Sequence, residues 1–341
     1  MAAMTRPCRV ALLTAAALFA VGSAAGATEL GVKGEQFTIN GRPTFLLGCS
    51  YYAGLGATEE TVRGDLDELK RHGFNWVRVW ATWASFDLDV SAVAGDTGGP
   101  RSPYHGRLKR LIDECDDRGM IVNVTFSRGN GATGPARLKN LAAHRRAVET
   151  ILAGGGERKN WYIDLANERN IRDERFTSLE DLADLRLLVR RADPTRLVTA
   201  SHAGELSRED VEDYLRKVPV DFISWHRPRD KNSPRQTAEK TRQARKWIEE
   251  IAGKDGLVPL HYDEPFRRGY GDWEPTADDF WTDLQGAKAG GAAGWCFHNG
   301  AQKTDRDGRP RRSFDLRDRS LFSQWDPEEK KFLAKLLETR P

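Results

Sequence analysis

The sequence contains little cysteine and almost no net charge, and each scarcity excludes a class of protein. Four cysteines occur in 341 residues, and the formal net charge is +3 at pH 7. Cysteines this sparse do not form a disulfide framework. Cys49 and Cys296 are either buried small hydrophobic residues or a pair that a closed barrel would bring together. The charge balance gives no global sign of a nucleic-acid partner.

Several cofactor and nucleophile motifs are also lacking. The sequence has no Cys/His cluster with metal-ligand spacing, no Walker loop and no Gly-x-Ser-x-Gly elbow. The segment 48–51, after the first predicted strand, lacks the glycines of a dinucleotide fingerprint. This disfavours a doubly wound open sheet. We therefore expect a reaction that needs neither a metal ion nor an organic cofactor.

The sequence has one strongly apolar segment near its start. Arg6 and Arg9 precede an Ala- and Leu-rich stretch over 10–22, and small residues follow up to Ala27. This order is typical of a cleaved secretory signal peptide (1–27), whereas a transmembrane anchor would need a longer apolar run. We expect a secreted or periplasmic monomer with no membrane segment after cleavage, and residues 28–341 as a single domain.

Short β-rich runs alternate with helical segments along the rest of the chain. A hairpin with an Asn40-Gly41 turn comes first. Eight strands are then predicted at 45–49, 76–80, 121–126, 161–166, 197–200, 222–225, 258–262 and 293–297. Strands that alternate with helices indicate βαβ units and a parallel sheet. The predicted fold class is α/β, a (β/α)₈ TIM barrel with a short N-terminal β-hairpin.

Two of the predicted strands lead into a glutamate. Asn167 and Glu168 follow the fourth strand, and Asp263 and Glu264 follow the seventh. In such a barrel the active site lies at the C-terminal ends of the strands. Paired carboxylates there suit glycoside hydrolysis, in which an acid of raised pKa protonates the leaving oxygen and the other carboxylate attacks the anomeric carbon. Asp263 is a rival to Glu264 for the second role.

These segments resemble the clan of retaining (β/α)₈ glycosidases that includes glycoside hydrolase families 2 and 5, with cellulase-like members. The likeness covers nearly the whole chain after the signal and lies in the motifs FNWVRVW, DLANE, VDFISWH, VPLHYDEP and GAAGWCFH. It implies a secreted retaining hydrolase that degrades a β-linked poly- or oligosaccharide. By this resemblance Glu168 is the acid/base and Glu264 is the nucleophile.

Further candidates to bind the substrate come from the resemblance and from the aromatic residues at the strand ends. The candidates are Arg78, Asn167, His226, Trp295, Tyr51, Trp80 and His298. Arg78 would orient the nucleophile, Asn167 would bind the 2-hydroxyl of the sugar, and His226 would line the pocket. Trp295 on the eighth strand would be a platform for a sugar ring, although aromatic side chains mostly fill cores.

One position departs from the clan pattern. Many members have a tyrosine two residues beyond the histidine of the sixth strand, near the nucleophile, and this chain has Pro228 there. Either Tyr262 substitutes for that tyrosine or nothing does. The departure leaves the family within the clan and the sugar open.

Basic residues gather in the loops after the strands. They are Arg128, Arg169, Arg172, Arg227, Arg229, Lys231, Arg267, Arg268, Lys303, Arg306, Arg309, Arg311 and Arg312. Because arginine pairs with carboxylate and sulfate, one interpretation is an anionic substrate that carries uronate or sulfate groups. The other interpretation is local pairing with acidic neighbours in the same loops.

Three further functions fit the same residues. A transglycosidase would share every catalytic residue with a hydrolase. An inactive barrel would only bind carbohydrate, and a barrel enzyme outside sugar chemistry would use the two carboxylates for another reaction. Comparing products with and without acceptor sugars would separate the first from a hydrolase.

Overall fold

The computed structural model describes residues 27–85, 88–127, 138–172, 176–269, 272–298, 316–317 and 319–339. Residues 1–26 of the predicted signal peptide lie outside these ranges. So do Arg128 and the five basic residues predicted between 303 and 312. Within the described residues, no helix is long and apolar enough to cross a membrane.

A small antiparallel sheet lies at the N-terminus. It consists of β1 (Leu30–Lys33), β2 (Gln36–Ile39) and β3 (Arg42–Pro43). Asn40 and Gly41 form the predicted turn, with φ angles of 52° and 74° in the left-handed region that such a turn requires. Phe37 is fully buried, with its ring centroid 5.0 Å from that of Phe222, so this sheet closes the bottom of the larger one.

The main sheet is parallel and nearly closed. Its strands are β4 (Leu46–Ser50), β5 (Trp76–Trp80), β8 (Ile121–Ser127), β9 (Trp161–Asn167), β10 (Val198–Thr199), β11 (Ser201–Ala203), β12 (Ile223–His226), β13 (Leu260–Tyr262) and β14 (Gly294–Phe297). Their order is β10-β9-β8-β5-β4-β14-β13-β12-β11. A short antiparallel pair, β6 (Ala84–Ser85) and β7 (Leu88–Asp89), follows β5.

The fifth strand, predicted at 197–200, extends to Ala203 and is divided in two. β10 pairs with β9, β11 pairs with β12, and Ala200 separates the two pieces. The backbone N–H of Ser201 donates to the Asp164 carboxylate (3.0 Å) instead of continuing the ladder. The two edges of the sheet are therefore parts of one strand, and the predicted (β/α)₈ barrel is confirmed.

Helices surround the sheet. They are α1 (Glu59–Arg71), α2 (Tyr104–Asp116), α3 (Leu141–Gly155), α4 (Leu179–Ala192), α5 (Arg208–Glu212), α6 (Ser233–Ala252), α7 (Ala277–Gly290), α8 (Leu321–Gln324) and α9 (Pro327–Glu338). Helices α1 to α4 pack on one another in chain order, as do α5 to α7. Their apolar faces and the outward side chains of the strands form the main core.

The two strand cysteines lie on opposite faces of the sheet. Cys49 packs in the layer between sheet and helices, whereas Cys296 belongs to the cluster inside the barrel. Both are buried free thiols. Adjacent strands therefore bring their backbones together but direct their sulfur atoms apart, which excludes the bridge.

Candidate active site

The two glutamates predicted from the strand ends meet at the mouth of the barrel. Glu168 follows β9, and Glu264 lies two residues beyond β13. A carboxylate oxygen of each lies within 4.8 Å of the other. Arg229 Nη2 lies between them, 2.6 Å from Glu264 Oε1 and 3.3 Å from Glu168 Oε1. All three side chains are largely buried.

The backbone of Glu168 has an uncommon conformation for a glutamate. Its φ angle is 51°, in the left-handed region that costs energy for a residue with a Cβ atom. Its N–H donates to Ser201 Oγ (2.9 Å), and Ser201 Oγ donates to Asp164 Oδ2 (2.9 Å). The break in the fifth strand thus supplies the hydroxyl that stabilises Glu168 in this position.

Arg78 lies inside the barrel beneath both glutamates and is fully buried. Its guanidinium donates to Asn167 Oδ1 (2.7 Å), to Asp164 Oδ2 (3.1 Å) and to Glu264 Oε2. The structure therefore brings Arg78 to the position that the resemblance implied, in contact with the proposed nucleophile. Asn167 lies in the same hydrogen-bond network.

Asp263 and Glu264 lie at different depths in the barrel. Asp263 is fully buried, with Oδ1 2.9 Å from His226 Nε2 and Oδ2 3.8 Å from Arg78 Nε. Glu264 is the carboxylate that faces Glu168 and shares Arg229 with it. Of the two candidates for the second catalytic role, Glu264 thus has the geometry of a partner to Glu168. Asp263 instead contacts the cations His226 and Arg78.

Two histidines flank the carboxylates in different charge states. His226 Nδ1 lies 3.2 Å from Glu168 Oε1. Burial lowers the pKa of His226, but the charges of Asp263 and Glu264 outweigh burial and raise this pKa to about 9. His226 therefore carries a proton on each ring nitrogen at neutral pH. One nitrogen donates to Glu168, and the other faces Asp263.

His298 is neutral. Burial lowers its pKa to about 3. Its Nδ1 lies 2.9 Å from Ser50 Oγ, and its Nε2 lies 3.2 Å from Glu264 Oε1. The hydroxyl of Ser50 can donate to Nδ1, so Nε2–H donates to Glu264. The contact of His298 with Glu264 fits its place among the candidates.

The pKa of Glu168 is the reverse of the sequence expectation. Burial and the charge of Glu264 raise this pKa, as expected of an acid. The hydrogen bond from His226 and the positive charge of Arg229 outweigh them, and the pKa falls to about 2. Burial also raises the pKa of Glu264, but His298 and the cations around it hold that pKa well below the usual range. Both glutamates are thus ionised in the free protein.

Aromatic rings cover the site on the side of β4 and β5. Trp80 lies over the guanidinium of Arg78, 4.5 Å from its Cζ, and stacks on Tyr52 with ring centroids 4.2 Å apart. The Trp80 prediction is therefore consistent with its position. Tyr52 is one of the aromatic residues at the strand ends, and alternation along the chain places it on the same side as Ser50.

The expected roles of Tyr51 and Trp295 are wrong. The Tyr51 hydroxyl donates to Asp65 Oδ2 on α1 (3.0 Å), and Trp295 Nε1 donates to Asp283 Oδ2 on α7 (2.6 Å). Both rings are fully buried on the helix side of the sheet. Neither can stack on a sugar at the barrel mouth.

Tyr262 does not replace the tyrosine that Pro228 displaces. Its hydroxyl lies 2.7 Å from Thr241 Oγ1 on α6, on the outer side of the sheet. The side chain next to both glutamates comes from Arg229, one residue beyond Pro228. This arginine was noted only as one of many basic residues. No sequence signal identified its contact with the carboxylates.

The other described basic residues of the loops divide between the two interpretations. Arg268 pairs with Glu274 and Asp326, and Arg227 donates to Ser233 O and Thr237 Oγ1, so both have local partners. Arg267 extends toward the site, with Nη1 3.5 Å from Tyr52 Oη. Local pairing therefore accounts for part of the basic surface, but not for Arg229.

Glu168, His226 and Glu264 offer three ligand atoms within 4.8 Å of one another, a spacing that could hold a metal ion. The protonated state of His226 and the guanidinium of Arg229 both oppose a second cation there. The arrangement is better described as two carboxylates compensated by organic cations. Such a pair can protonate a leaving oxygen and attack a carbon between them.

Comparison with known proteins gives a structural likeness only. No protein-family model and no curated protein sequence matches the chain. A glycoside hydrolase family 5 structure from Bacteroides vulgatus matches with a TM-score of 0.65 and 18% identity, over 93% of this chain and 72% of that one.

Two mannanases also match. The endo-1,4-β-mannanase of Rhizomucor miehei has a TM-score of 0.62 and 13% identity, over 91% of this chain and 98% of that one. The endo-1,4-β-D-mannanase of Thermotoga petrophila has a TM-score of 0.58 and 14% identity, over 86% and 99%. At such low identity these likenesses establish the fold, and the chain has the (β/α)₈ barrel fold of solved glycoside hydrolase family 5 structures.

Proposed function

We propose that the protein is a retaining glycoside hydrolase, with Glu168 as acid/base and Glu264 as nucleophile. The observation that carries the proposal is the spacing of the two glutamates, whose nearest oxygens lie within 4.8 Å. Carboxyl groups about 5 Å apart suit double displacement, whereas inverting enzymes separate them by about 6.5–9.5 Å to admit a water molecule.

Each glutamate would act in both halves of the reaction. Glu264 is ionised and oriented by Arg78, so its oxygen can attack the anomeric carbon and form a glycosyl ester. Glu168 gives its proton to the leaving oxygen and then takes one from the water molecule that cleaves the ester. Because Glu168 is ionised in the free protein, it has to gain a proton when the substrate binds.

The proposed substrate is a β-linked sugar chain outside the cytoplasm. The N-terminal segment up to Ala27 supports export, and Tyr52 and Trp80 offer aromatic surface at the mouth. Arg229 and Arg267 favour a sugar that carries an anionic group, uronate or sulfate. The names of two similar structures say that those proteins are mannanases, and we take mannan as a neutral comparison substrate for this chain.

The mechanism is tested with Glu168→Gln and Glu264→Gln on polysaccharides and aryl β-glycosides. Both variants should lose about 10²–10⁴-fold or more in kcat, because each removes a group that reacts. Glu209→Gln, an exposed residue of α5, is the matched control and should keep the full rate. NMR of the first-formed sugar should show the anomeric configuration of the substrate.

Other outcomes would select the alternatives. A first product with inverted anomeric configuration, or wild-type rates in both glutamine variants, would contradict the retaining mechanism. Transfer to an added acceptor sugar in preference to water would identify a transglycosidase. Sugar binding without any turnover would identify a barrel that only binds carbohydrate. The guanidinium between the two glutamates in the free protein is also compatible with that function.

A further inference from the structure

Arg229 is fixed in the space between the two glutamates. It lies three residues beyond His226, in the loop that leads into α6. Its Nη2 contacts Glu264 Oε1 at 2.6 Å and Glu168 Oε1 at 3.3 Å, while its Nε donates to Pro265 O at 3.2 Å. Three acceptors therefore orient this guanidinium, and its side chain is only 12% exposed.

A substrate cannot bind productively while Arg229 stays there. In a retaining glycosidase the scissile bond lies between the two carboxyl groups. Arg229 Nη2 occupies that space, so it has to move before Glu264 can reach an anomeric carbon. Separating a buried ion pair is costly unless each partner finds a new one. A displaced guanidinium thus needs another anion.

The charges around Arg229 show what holds it between the glutamates. In the described residues the carboxylates of the cluster are Asp164, Glu168, Asp263 and Glu264, and the cations in and beside it are Arg78, His226, Arg229 and Arg267. When Glu168 takes up the proton that it must donate, Arg229 loses the negative charge of one of the two carboxylates that it contacts. The guanidinium is then held less tightly between the glutamates.

We propose that Arg229 leaves the glutamate pair and binds a carboxylate on the sugar, so that the preferred substrate is a uronate-bearing glycoside. This inference rests on the proposed function and names its substrate class. The planar guanidinium matches a planar carboxylate through two parallel hydrogen bonds. The carboxylate of the sugar takes the place of the glutamate carboxylates that Arg229 leaves.

The same movement prepares Glu168 for its role. Arg229 is one of the groups that lower the pKa of Glu168, and burial raises it. Transfer of the guanidinium to the substrate removes that positive charge, and the protonated form of Glu168 becomes more favourable. A neutral sugar offers Arg229 no anion, so the cation keeps its contact with the glutamates and the acid stays ionised.

The test compares sugars that differ only at C6. Wild-type protein and Arg229→Gln are assayed on 4-nitrophenyl β-glycosides of glucuronate and glucose, galacturonate and galactose, and mannuronate and mannose. The wild type should favour one uronate by about 100-fold or more in kcat/KM, the range expected when charge-assisted hydrogen bonds are lost. In Arg229→Gln the ratio should fall to about 1, through a loss on the uronate and a gain on the neutral sugar, which Arg229 no longer hinders.

Two further variants separate charge, geometry and folding. Arg229→Lys keeps the charge without the planar fork and should recover only part of the preference. Arg235→Gln removes an exposed arginine six residues along the same chain segment and should behave like wild type. A melting curve for each variant identifies any loss that comes from unfolding.

Binding is measured separately from turnover, by NMR titration of the free uronic acids and neutral sugars into Glu168→Gln and Glu168→Gln/Arg229→Gln. Uronate binding that depends on Arg229, without hydrolysis by the wild type, would support the inference and refute the proposed function. Equal hydrolysis of neutral and uronate glycosides, unchanged in Arg229→Gln, would overturn the inference and leave the hydrolase intact. Binding of sulfated sugars alone, or of no anionic sugar, would also overturn it.

Discussion

Arg78 should stabilise the whole fold, because it is a fully buried cation among buried carboxylates. Arg78→Met removes the charge while it keeps most of the unbranched stem. Asp164 and Asp263, at 3.1 and 3.8 Å, and Glu264 then lose a cation that each of them contacts. Among the described residues, His226 and Arg229 still contact the cluster as cations.

The expected loss follows from these contacts. One ion pair at about 4 Å contributes about 4 kcal/mol at an effective dielectric constant of about 20, before the cost of desolvating the charges. Removal of one partner from a buried pair costs about 3–5 kcal/mol of folding free energy once desolvation is included. For a chain of this size that corresponds to a fall in Tm of roughly 4–8 °C.

The pH dependence gives the sharper test. Burial raises the pKa of Asp263, but the charges of Arg78 and His226 outweigh burial and hold this pKa below its usual range. In the wild type the carboxylate therefore adds stability above the pKa of the unfolded chain, and acid removes that stability. Without Arg78, burial should raise the pKa above the unfolded value, so that ionisation destabilises the fold as pH rises.

Urea unfolding of wild type, Arg78→Met and Arg78→Lys at pH 5 and pH 8 measures the effect. The free energy of unfolding of Arg78→Met should fall further below that of wild type at pH 8 than at pH 5. Arg78→Lys keeps a charge and should lie between the two. A loss below about 1 kcal/mol, or an equal loss at both pH values, would contradict the charge argument.

Two further predictions concern the barrel interior and the backbone of Glu168. A Cβ atom at Gly48 would lie 1.3 Å from a ring carbon of Trp76, so Gly48→Ala should cost about 1–3 kcal/mol or more by urea unfolding. Gly64→Ala on α1 meets open space and should instead add about 0.5–1 kcal/mol. Ser201→Ala removes the acceptor of the Glu168 N–H, and kcat should fall about 5–100-fold with KM nearly unchanged. Ser201→Thr, which restores a hydroxyl, should recover part of kcat; a change in KM alone would refute this positioning role.

The strands and their order could be predicted because eight apolar runs recur between helical segments at the spacing of βαβ units. The division of the fifth strand could not. It depends on Asp164, on the neighbouring strand, which accepts the N–H of Ser201 in place of a ladder partner. A competition between a side chain and a backbone ladder leaves no periodic mark in the sequence.

Side-chain direction explains which site residues were misplaced. Successive residues of a strand face opposite sides of the sheet. Because Cys296 lies inside the barrel, its neighbour Trp295 faces the helices. The resemblance matched an aromatic residue on the eighth strand, but the parity of β14 decides its function here. The prediction for Tyr51 is wrong for the same reason. Ser50 faces the inside of the barrel, so the next residue, Tyr51, faces the helices.

Arg229 was beyond prediction because its position depends on a loop. Pro228 removes the tyrosine expected near the nucleophile, and the next side chain extends over both glutamates. The substitution changes the chemistry as well as the shape, since a phenol is neutral near pH 7 and a guanidinium is not. In the proposed mechanism Glu168 would therefore begin the reaction cycle ionised, and substrate binding would have to supply the conditions for its protonation. A substrate anion that draws Arg229 away meets this requirement.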